Sequence, residues 1–223
     1  AGAACVPDKL KLDRDVLPSA VRCLADCSFD AFRAALRDAL PPGTWVEPDD
    51  GEEAAGASAT PGDAALRVRC LRRKSIKAVP RLRAKVAAAQ AKREGRWPFT
   101  ATVGDVLRAS VSAVDAAGVR RAWECLERSE ALQVFKLKNK FRKAAAEIDD
   151  PDSTRTTFPN LHANVLFQAP GCAPIVAEVQ VHHEGVLGVA KQDHKLYEIV
   201  RAKGIGALTG EDEGAKGGGG GLG

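Results

Sequence analysis

The chain has 223 residues, of which 45% are hydrophobic and 28% are charged, and this composition is typical of one globular domain with tails. No apolar run approaches the ~20 residues that a membrane-spanning helix needs, so we expect no membrane span. The net charge of +4 is small, so the distribution of charge along the chain is more informative than its sum.

The start of the sequence bears on location. No charged start precedes an apolar core, so no secretory signal is predicted. The chain contains no Met, and we expect it to begin inside a longer gene product. Six scattered cysteines without a His cluster favour free thiols in a reducing compartment over a zinc site. We therefore expect a soluble intracellular protein, cytoplasmic by default, with an organellar location left open by the missing start.

The first half of the chain predicts helices and strands separated by an acidic loop. Apolar residues recur at helical spacing over residues 17–40 and predict one or two helices. Residues 41–63 carry only acidic charges, together with Pro, Gly and Ser, and predict a mobile loop. The next elements are predicted as a strand over 65–71, a helix over 76–95 with Pro80 in its first turn, and a strand over 106–114.

The second half adds helices and three strands. Asp115 is the predicted N-cap of a helix over 115–130. The strands are predicted over 132–141, 160–168 and 174–183, and the last two form a hairpin through the turn APGCA. A final helix is predicted through VLGVAKQDHKLYEIVRAKG, and the Gly-rich end is predicted to be disordered.

The order of these elements predicts a mixed α/β fold of the α+β type, with one mixed sheet of about five strands flanked by helices. The chain divides into an N-terminal helical segment (1–40), the acidic loop (41–63), one main domain (64–205) and a disordered tail (206–223).

A basic stretch follows the acidic loop. Residues 67–93 carry eleven basic residues and no acidic one. Clustered guanidinium groups and helix N-termini favour polyphosphate, and the cluster lies where a predicted strand passes into a helix. A solvated helix face and an RNA contact are the alternatives. The stretch lacks the aromatic residues that readers of single-stranded RNA use, and this disfavours a nucleic-acid partner.

Both strands of the predicted hairpin have one apolar and one polar face. The polar positions are Glu178, Gln180 and His182 on one strand, and Asn160, His162 and Asn164 on the other. Because the side chains of paired strands share faces, we expect one polar patch on one side of the sheet. A solvated face of an antiparallel hairpin is the alternative.

Asp105, at the entry to the strand over 106–114, is the second carboxylate of interest. The alternative role is a cap or a turn residue paired with Arg108. Together with Glu178, Asp105 would give a pair of carboxylates from different strands. Such a pair suits Mg²⁺ on substrate phosphates, because this ion takes one or two protein oxygens and leaves its other positions to phosphate and water.

The chain resembles the RelA/SpoT-type nucleotidyltransferase domain in the order of six segments: RVRCLRRKSIK, VGDVLRASV, VFKLKNKF, TFPNLHANV, EVQVHH and DHKLYEIVRA. The resemblance covers about residues 64–203. It implies a nucleotidyltransferase-like sheet and the transfer of pyrophosphate from ATP to the 3′-hydroxyl of GDP or GTP, which makes (p)ppGpp. ATP and a guanine nucleotide are the implied partners, and Mg²⁺ is the implied cofactor. No segment resembles the His-Asp hydrolase domain of bifunctional members.

The resemblance implies catalytic roles for two carboxylates. The family's Mg²⁺-binding aspartate corresponds to Asp105. Its essential glutamate, in the motif E-x-Q, corresponds to Glu178, with Gln180 beside it. Both carboxylates are therefore expected to hold the metal, and Glu178 is also expected to orient or deprotonate the acceptor hydroxyl.

The resemblance also implies a binding site for the donor nucleotide. The motif R-x-K-x-x-x-S is met by Arg69 and Ser75, but Leu71 stands in the Lys position. Lys74 or Lys77 is therefore expected to substitute. Arg108 is a further nucleotide-binding residue, although it arrives earlier in the sequence than the family's arginine.

The acceptor nucleotide is implied to lie against the remaining segments. Phe158, Asn160 and His162 fall in the family's segment G-Y-x-S-L-H, where Phe158 keeps a ring for stacking on guanine but lacks the tyrosine hydroxyl. Lys138 and Lys140, and with them Arg142, correspond to the residues that bind acceptor phosphates. The closing helix contributes pattern residues, read first as packing positions: His194, Tyr197 and Arg201.

Two other functions remain open from the sequence. A binding or scaffold module of the same fold without activity is favoured by the departures at Leu71, Thr157 and Phe158. An RNA-binding domain would use the basic residues 67–93.

Overall fold

The computed structural model describes residues 8–49, 65–92, 97–148 and 158–189. One compact unit ends at Glu184. Of the unit that begins at Gly185, residues 185–189 are described and are helical, as the sequence predicts from residue 186 onward. The rest of the predicted final helix and the Gly-rich end lie outside the described residues.

Two of the predicted helices agree closely with the structure. The described helices are α1 (Lys9–Asp15), α2 (Leu17–Ala39), α3 (Arg72–Ser75), α4 (Val79–Lys92), α5 (Ala116–Arg128) and α6 (Lys140–Ile148), with a 3-10 helix at Phe99–Thr102. The helices predicted over 17–40 and 115–130 are α2 and α5. Asp115 caps α5 as predicted, because its Oδ1 accepts a hydrogen bond from Gly118 N at 2.6 Å. Helices α1 and α6 were not predicted, and α6 begins inside the strand predicted over 132–141, which ends at Asn139.

The helix predicted over 76–95 is wrong at its beginning. The chain first forms α3, and Ile76 then makes an isolated antiparallel bridge with Leu107. Ile76 is buried, so this pairing places it in the core instead of on a helix. Helix α4 therefore begins only at Val79, with Pro80 in its first turn as predicted. The predicted end at Gly95 lies outside the described residues.

Six strands form one mixed sheet in the order β1-β2-β3-β6-β5-β4. They are β1 (Trp45–Val46), β2 (Leu66–Arg69), β3 (Leu107–Ala113), β4 (Gln133–Asn139), β5 (Leu161–Phe167) and β6 (Ile175–His183). The pairs β1–β2 and β3–β6 are parallel, and the other neighbours are antiparallel. The predicted mixed α/β fold is confirmed, with six strands where about five were expected.

The additional strand lies in the stretch predicted to be a loop. Trp45 and Val46 pair with Arg67 and Val68, so the loop prediction is wrong at these two residues. No local pattern indicates this strand, because it is short and its stability comes from pairing with β2. Residues 50–63 of the predicted loop lie outside the described residues.

The core lies on one face of the sheet. Apolar residues alternate along β3, β5 and β6 and are buried, as the period of two predicts. Helices α2 and α5 supply buried side chains to the same core, and the rings of Phe32 and Phe167 meet edge to face at 5.4 Å. Burial of each large side chain contributes about 1.5–3 kcal/mol to stability. None of the described helices combines the length and the apolar composition that a membrane crossing needs.

Candidate active site

The opposite face of the sheet carries polar side chains in two registered rows. One row runs across five strands and consists of Arg69, Ser110, Gln180, His162 and Lys138. The second row runs beside it and consists of Arg108, Glu178, Asn164 and Lys136. The register confirms the predicted alignment of the two polar faces of the hairpin. Strand β3, inserted beside β6, extends the patch toward the basic residues of β2.

Glu178 lies at the centre of these rows and is largely shielded from water. Its side chain is 15% exposed and that of His162 is 16% exposed, so the solvated-face alternative does not fit. Gln180 Nε2 donates to Glu178 Oε1 at 2.5 Å, and His162 Nδ1 lies 3.4 Å from Oε2. Burial raises the pKa of Glu178, but the hydrogen bonds from His162 and Gln180 outweigh it and lower the pKa below its usual value. Glu178 is therefore ionised at neutral pH.

Asp105 lies in the turn before β3, close to Glu178. Arg108, three residues further along the chain, is the register partner of Glu178 on β6. The charge of Asp105 opposes the ionisation of Glu178. Asp105 Oδ2 accepts hydrogen bonds from Lys77 and from Lys85, the latter at 2.7 Å. Burial raises the pKa of Asp105, but the two ammonium groups outweigh it and lower the pKa. Asp105 Oδ1 is buried and has no hydrogen-bond partner within the described part of the chain.

The alternative role for Asp105, a partner of Arg108, is wrong. Arg108 Nη2 donates instead to the backbone oxygen of Lys74 at 3.3 Å. The partners of Asp105 are lysines because Lys77 lies two residues after the end of α3 and Lys85 projects from α4. Sequence reasoning named Lys77 and missed Lys85, since the density of basic residues in this stretch does not distinguish one lysine from another.

The two lysines differ in their surroundings. Lys77 is 6% exposed, and burial lowers its pKa to about 8 in spite of the contact with Asp105. Lys85 is half exposed, and although burial acts in the same direction, the hydrogen bond to Asp105 raises its pKa. At pH 7 both side chains are cations, so this group of two carboxylates and two ammonium ions has no net charge.

A cavity of about 170 Å³ lies beside these carboxylates. Its lining includes Arg69, Lys74, Ser75, Arg108, Ser110 and Gln180. Four of the residues predicted for the donor nucleotide therefore lie around one cavity, and Lys77 lies nearby on Asp105. Arg69 Nε donates to Glu47 Oε2 at 2.6 Å, a partner that the sequence did not predict.

Leu71, which stands at the lysine position of the motif R-x-K-x-x-x-S, is a buried residue. Its side chain is buried in the core, at 3% exposed, immediately before α3. A lysine there would have to bury its ammonium group or reach out of the core. Lys74, three residues later, is exposed and lines the cavity.

The residues predicted for the acceptor nucleotide lie at the start of β5. Lys138 pairs with His162 across β4 and β5, and the backbone N–H of Lys140 donates to Asn160 O at 2.9 Å. Asn160 Oδ1 and His162 Nε2 are both buried without a hydrogen-bond partner among the described residues. Phe158 is half-buried just before the strand. These two unsatisfied atoms are available to a ligand, because buried polar atoms are normally paired.

Several predicted positions are not part of this arrangement. Thr157, His194, Tyr197 and Arg201 lie outside the described residues. His182 was expected to lie at the surface or behind the residues of the site. It lies at the far end of the polar face and is buried, with 7% of its surface exposed.

The donor set fits a magnesium ion that arrives with a polyphosphate. Among the described residues, no group of three or more His, Cys, Asp or Glu side chains is arranged to hold a metal. Mg²⁺ needs only one or two carboxylates when phosphate and water fill its other positions. Asp105 Oδ1 has no hydrogen-bond partner among the residues that the structure describes, and Glu178 lies on β6, the strand paired with β3. The lysines already neutralise both carboxylates, so a lone cation gains little here, whereas a metal bound to polyphosphate brings compensating negative charge.

Solved structures with a related chain path come from alarmone synthetases. Small alarmone synthetase 1 from Bacillus subtilis, bound to its product pppGpp, is 15% identical with a TM-score of 0.42, over 59% of this chain and 60% of that chain. Small alarmone synthetase 2 from Bacillus subtilis is 14% identical with a TM-score of 0.48, over 86% and 84%. A GTP pyrophosphokinase family protein from Streptococcus pneumoniae is 13% identical with a TM-score of 0.45, over 66% and 71%.

The names of all three belong to RelA/SpoT-type proteins, the family that this sequence resembles in the order of its motifs. The match to the first of them spans less than two thirds of that chain. No family model matches the sequence, and no curated protein matches it.

Proposed function

We propose that this protein transfers pyrophosphate from ATP to the 3′-hydroxyl of GDP or GTP, with Mg²⁺. The observation that carries the proposal is the placement of two carboxylates, Asp105 directly before β3 and Glu178 on the paired strand β6, beside a cavity lined by basic residues. Within the described ranges of the chain, one buried oxygen of Asp105 has no hydrogen-bond partner. These residues are the ones that the motif order assigned to the metal and the donor nucleotide.

The donor triphosphate would bind on the basic side of the cavity. Arg69, Lys74 and Arg108 line it, and Lys77 and Lys85 lie against Asp105. Guanidinium and ammonium groups at fixed positions stabilise the negative charge that develops on transferring phosphoryl groups. Mg²⁺ bound by Asp105 Oδ1 and Glu178 would supply further neutralisation of the phosphate oxygens.

The acceptor hydroxyl would lie against Glu178. In the transfer, the 3′-oxygen of the acceptor forms a bond to the β-phosphorus of ATP, the bond from that phosphorus to the α-phosphate oxygen breaks, and AMP leaves. Glu178, ionised at neutral pH, accepts the hydrogen bond of the hydroxyl and takes its proton as the new bond forms. Gln180 and His162 hold the carboxylate in place.

The test is product formation by the purified protein. With ATP, Mg²⁺ and GDP or GTP, we expect AMP and a guanine nucleotide that carries an added pyrophosphate. Glu178→Gln and Asp105→Asn are expected to lower the rate by about 100-fold or more, as for the loss of a group that acts on the transition state. Glu124→Gln, which removes a half-buried carboxylate of α5 paired with Arg120 and Arg128, is the matched control and should keep full activity. Turnover that survives both site substitutions would contradict the assignment.

A nucleotide-binding module without activity is the second candidate, and one contact favours it. Arg69 is already paired with Glu47, and Leu71 occupies the motif's lysine position in the core. Binding of ATP by calorimetry without any AMP release, under conditions that saturate both nucleotides, would support this candidate over the enzyme.

RNA binding is the third candidate, and the surroundings of Arg72 weaken it. Arg72 donates to Asp26 Oδ1 at 3.0 Å and to Asp30 Oδ2 at 2.6 Å, and its guanidinium lies over the ring of Phe29. This part of the basic stretch therefore anchors α3 to α2. Salt-sensitive RNA binding that is lost when Arg72, Arg73 and Lys74 are neutralised would restore the candidate.

A further inference from the structure

Asn164 binds the backbone directly before Asp105. Its Nδ2 donates to Gly104 O at 3.1 Å, although the two residues are 60 positions apart. The approach is tight, because a Cβ at position 104 would lie 2.9 Å from Asn164 Nδ2. Real Cβ contacts essentially never fall below 3.0 Å, so residue 104 has to be glycine while the Asn164 amide occupies this place.

Asn164 also lies beside Glu178. The two residues are register partners on the adjacent strands β5 and β6. One side chain therefore connects the turn that carries Asp105 with the strand pair that carries Glu178 and His162. We propose that Asn164 is a positioning residue that fixes Asp105 relative to Glu178, an inference that rests on the proposed function.

Other contacts hold the same turn from the opposite side. Lys77 N donates to Val106 O at 2.9 Å, and the ammonium groups of Lys77 and Lys85 bind Asp105 Oδ2. These contacts tie Asp105 to the basic segment of α3 and α4. Asn164 supplies the restraint from the side of Glu178, and the separation of the two carboxylates depends on both.

Asn164 was visible in the sequence only as one polar residue of a strand. It lies in the segment TFPNLHANV, but the resemblance assigns it no role, and its partner, Gly104, makes the contact with a backbone oxygen. A misplacement of about 1 Å at a reacting group can lower a rate by about 100-fold, so a single amide can matter here without touching a substrate.

The first experiment compares Asn164→Leu with a matched control. Leucine has a similar shape and no donor. The control is Gln168→Ala, because Gln168 Nε2 donates to Cys172 O at 3.1 Å, an amide-to-backbone bond of the same kind in the β5–β6 turn. With ATP, GDP and Mg²⁺, we expect Asn164→Leu to lower kcat by about 10- to 100-fold. The KM for GDP should stay within about twofold, and Asn164→Gln should recover part of the kcat. Gln168→Ala should change neither constant.

The second experiment needs neither metal nor nucleotide. Amide hydrogen exchange over residues 99–107 is expected to be about 2- to 10-fold faster in Asn164→Leu than in wild type, because one hydrogen bond of the turn is lost. The same segment should be unchanged in Gln168→Ala. Equal exchange in Asn164→Leu and wild type overturns the inference.

A double-mutant cycle tests the contact itself. Gly104→Ala should lower the urea midpoint in the wild-type background, because its Cβ displaces the Asn164 amide. In the Asn164→Ala background the amide is absent, and Gly104→Ala should lower the urea midpoint clearly less than it does in the wild-type background. Additive effects of the two substitutions would contradict a direct contact.

The outcomes separate this inference from the proposed function. Wild-type turnover with an unchanged kcat in Asn164→Leu overturns the role of Asn164 and leaves the function standing. Absence of product in the wild type overturns the proposed function, and the exchange and urea experiments then decide by themselves whether Asn164 restrains Asp105. A loss of kcat that matches only the loss of folded protein also overturns the positioning role.

Discussion

Asp105→Asn is expected to destabilise the protein through a buried lysine. Lys77 is 6% exposed and Lys85 is 51% exposed, and both ammonium groups bind Asp105 Oδ2. When the carboxylate charge is removed, Lys85 can be hydrated, but Lys77 stays buried without its counter-ion. An uncompensated buried charge is strongly unfavourable, so the cost comes mainly from Lys77.

The pKa of Lys77 limits the size of this effect. Burial lowers it from 10.5 to about 8 while Asp105 is present. Without Asp105 the pKa falls further, and once it passes below 7 the amine releases its proton at neutral pH. At pH 7 only the fall of the Lys77 pKa from about 8 to 7 lowers the free energy of unfolding further. This is about one pKa unit, or at most roughly 1.4 kcal/mol. The exposed pairing of Lys85 adds about 0.2–1 kcal/mol. A fall in Tm of ~3–8 °C is expected for a chain of this size.

The part of the deficit that comes from Lys77 is expected to vanish at alkaline pH. A lysine with a lowered folded-state pKa makes the unfolded chain bind more protons, so stability rises with pH from the folded pKa up to 10.5. This rise begins below pH 7 in Asp105→Asn and near pH 8 in the wild type. By about pH 9 the two stabilities should therefore differ only by the ~0.2–1 kcal/mol of the Lys85 pair. Urea unfolding at pH 7, 8 and 9 in the presence of EDTA measures the difference.

Two results would refute this reasoning. One is equal stability of Asp105→Asn and wild type at pH 7, and the other is a deficit that persists unchanged at pH 9. Lys77→Met in the Asp105→Asn background provides the check on cause, because it removes the buried amine and should recover the stability lost at pH 7. The same measurements show whether a loss of turnover in Asp105→Asn reflects chemistry or unfolding.

Three further predictions concern residues around the site and in the core. Glu47→Gln releases Arg69 from its ion pair, so calorimetry should show an affinity for ATP up to about fivefold higher, and the free energy of unfolding should fall by no more than about 1 kcal/mol. A weaker affinity would show that Glu47 does not compete with ATP for Arg69. Asp13→Ala should lower the free energy of unfolding, measured in urea, by about 1–3 kcal/mol, because this buried carboxylate accepts hydrogen bonds from the backbone of the 3-10 helix that precedes Asp105. An unchanged urea midpoint would show that Asp13 does not stabilise this helix. Burial raises the pKa of Cys70 to about 11, so iodoacetamide at pH 8 should label the exposed Cys23 well before Cys70. Peptide mass spectrometry measures the two rates, and equal rates in the folded protein would contradict the burial of Cys70.

The sequence by itself determined five of the six strands of the sheet and which of their residues share the polar face. The period of two in β5 and β6 separated buried positions from polar ones, because side chains of a strand alternate between two faces whatever the rest of the fold does. It thereby placed Glu178 and His162 on one surface. Asp115 was equally predictable as a helix cap, because capping depends on residues close in sequence.

Tertiary structure decided what each polar residue contacts. Lys85 reaches Asp105 from 20 positions away, and Asn164 reaches Gly104 from 60 positions away, and neither pairing leaves a local pattern. Strand β3 joins β6 through a parallel pairing that brings Arg108 opposite Glu178, which no spacing within one segment predicts. Local periodicity fixes the face on which a side chain lies, whereas its partners, its burial and its pKa depend on which distant segments pack against that face.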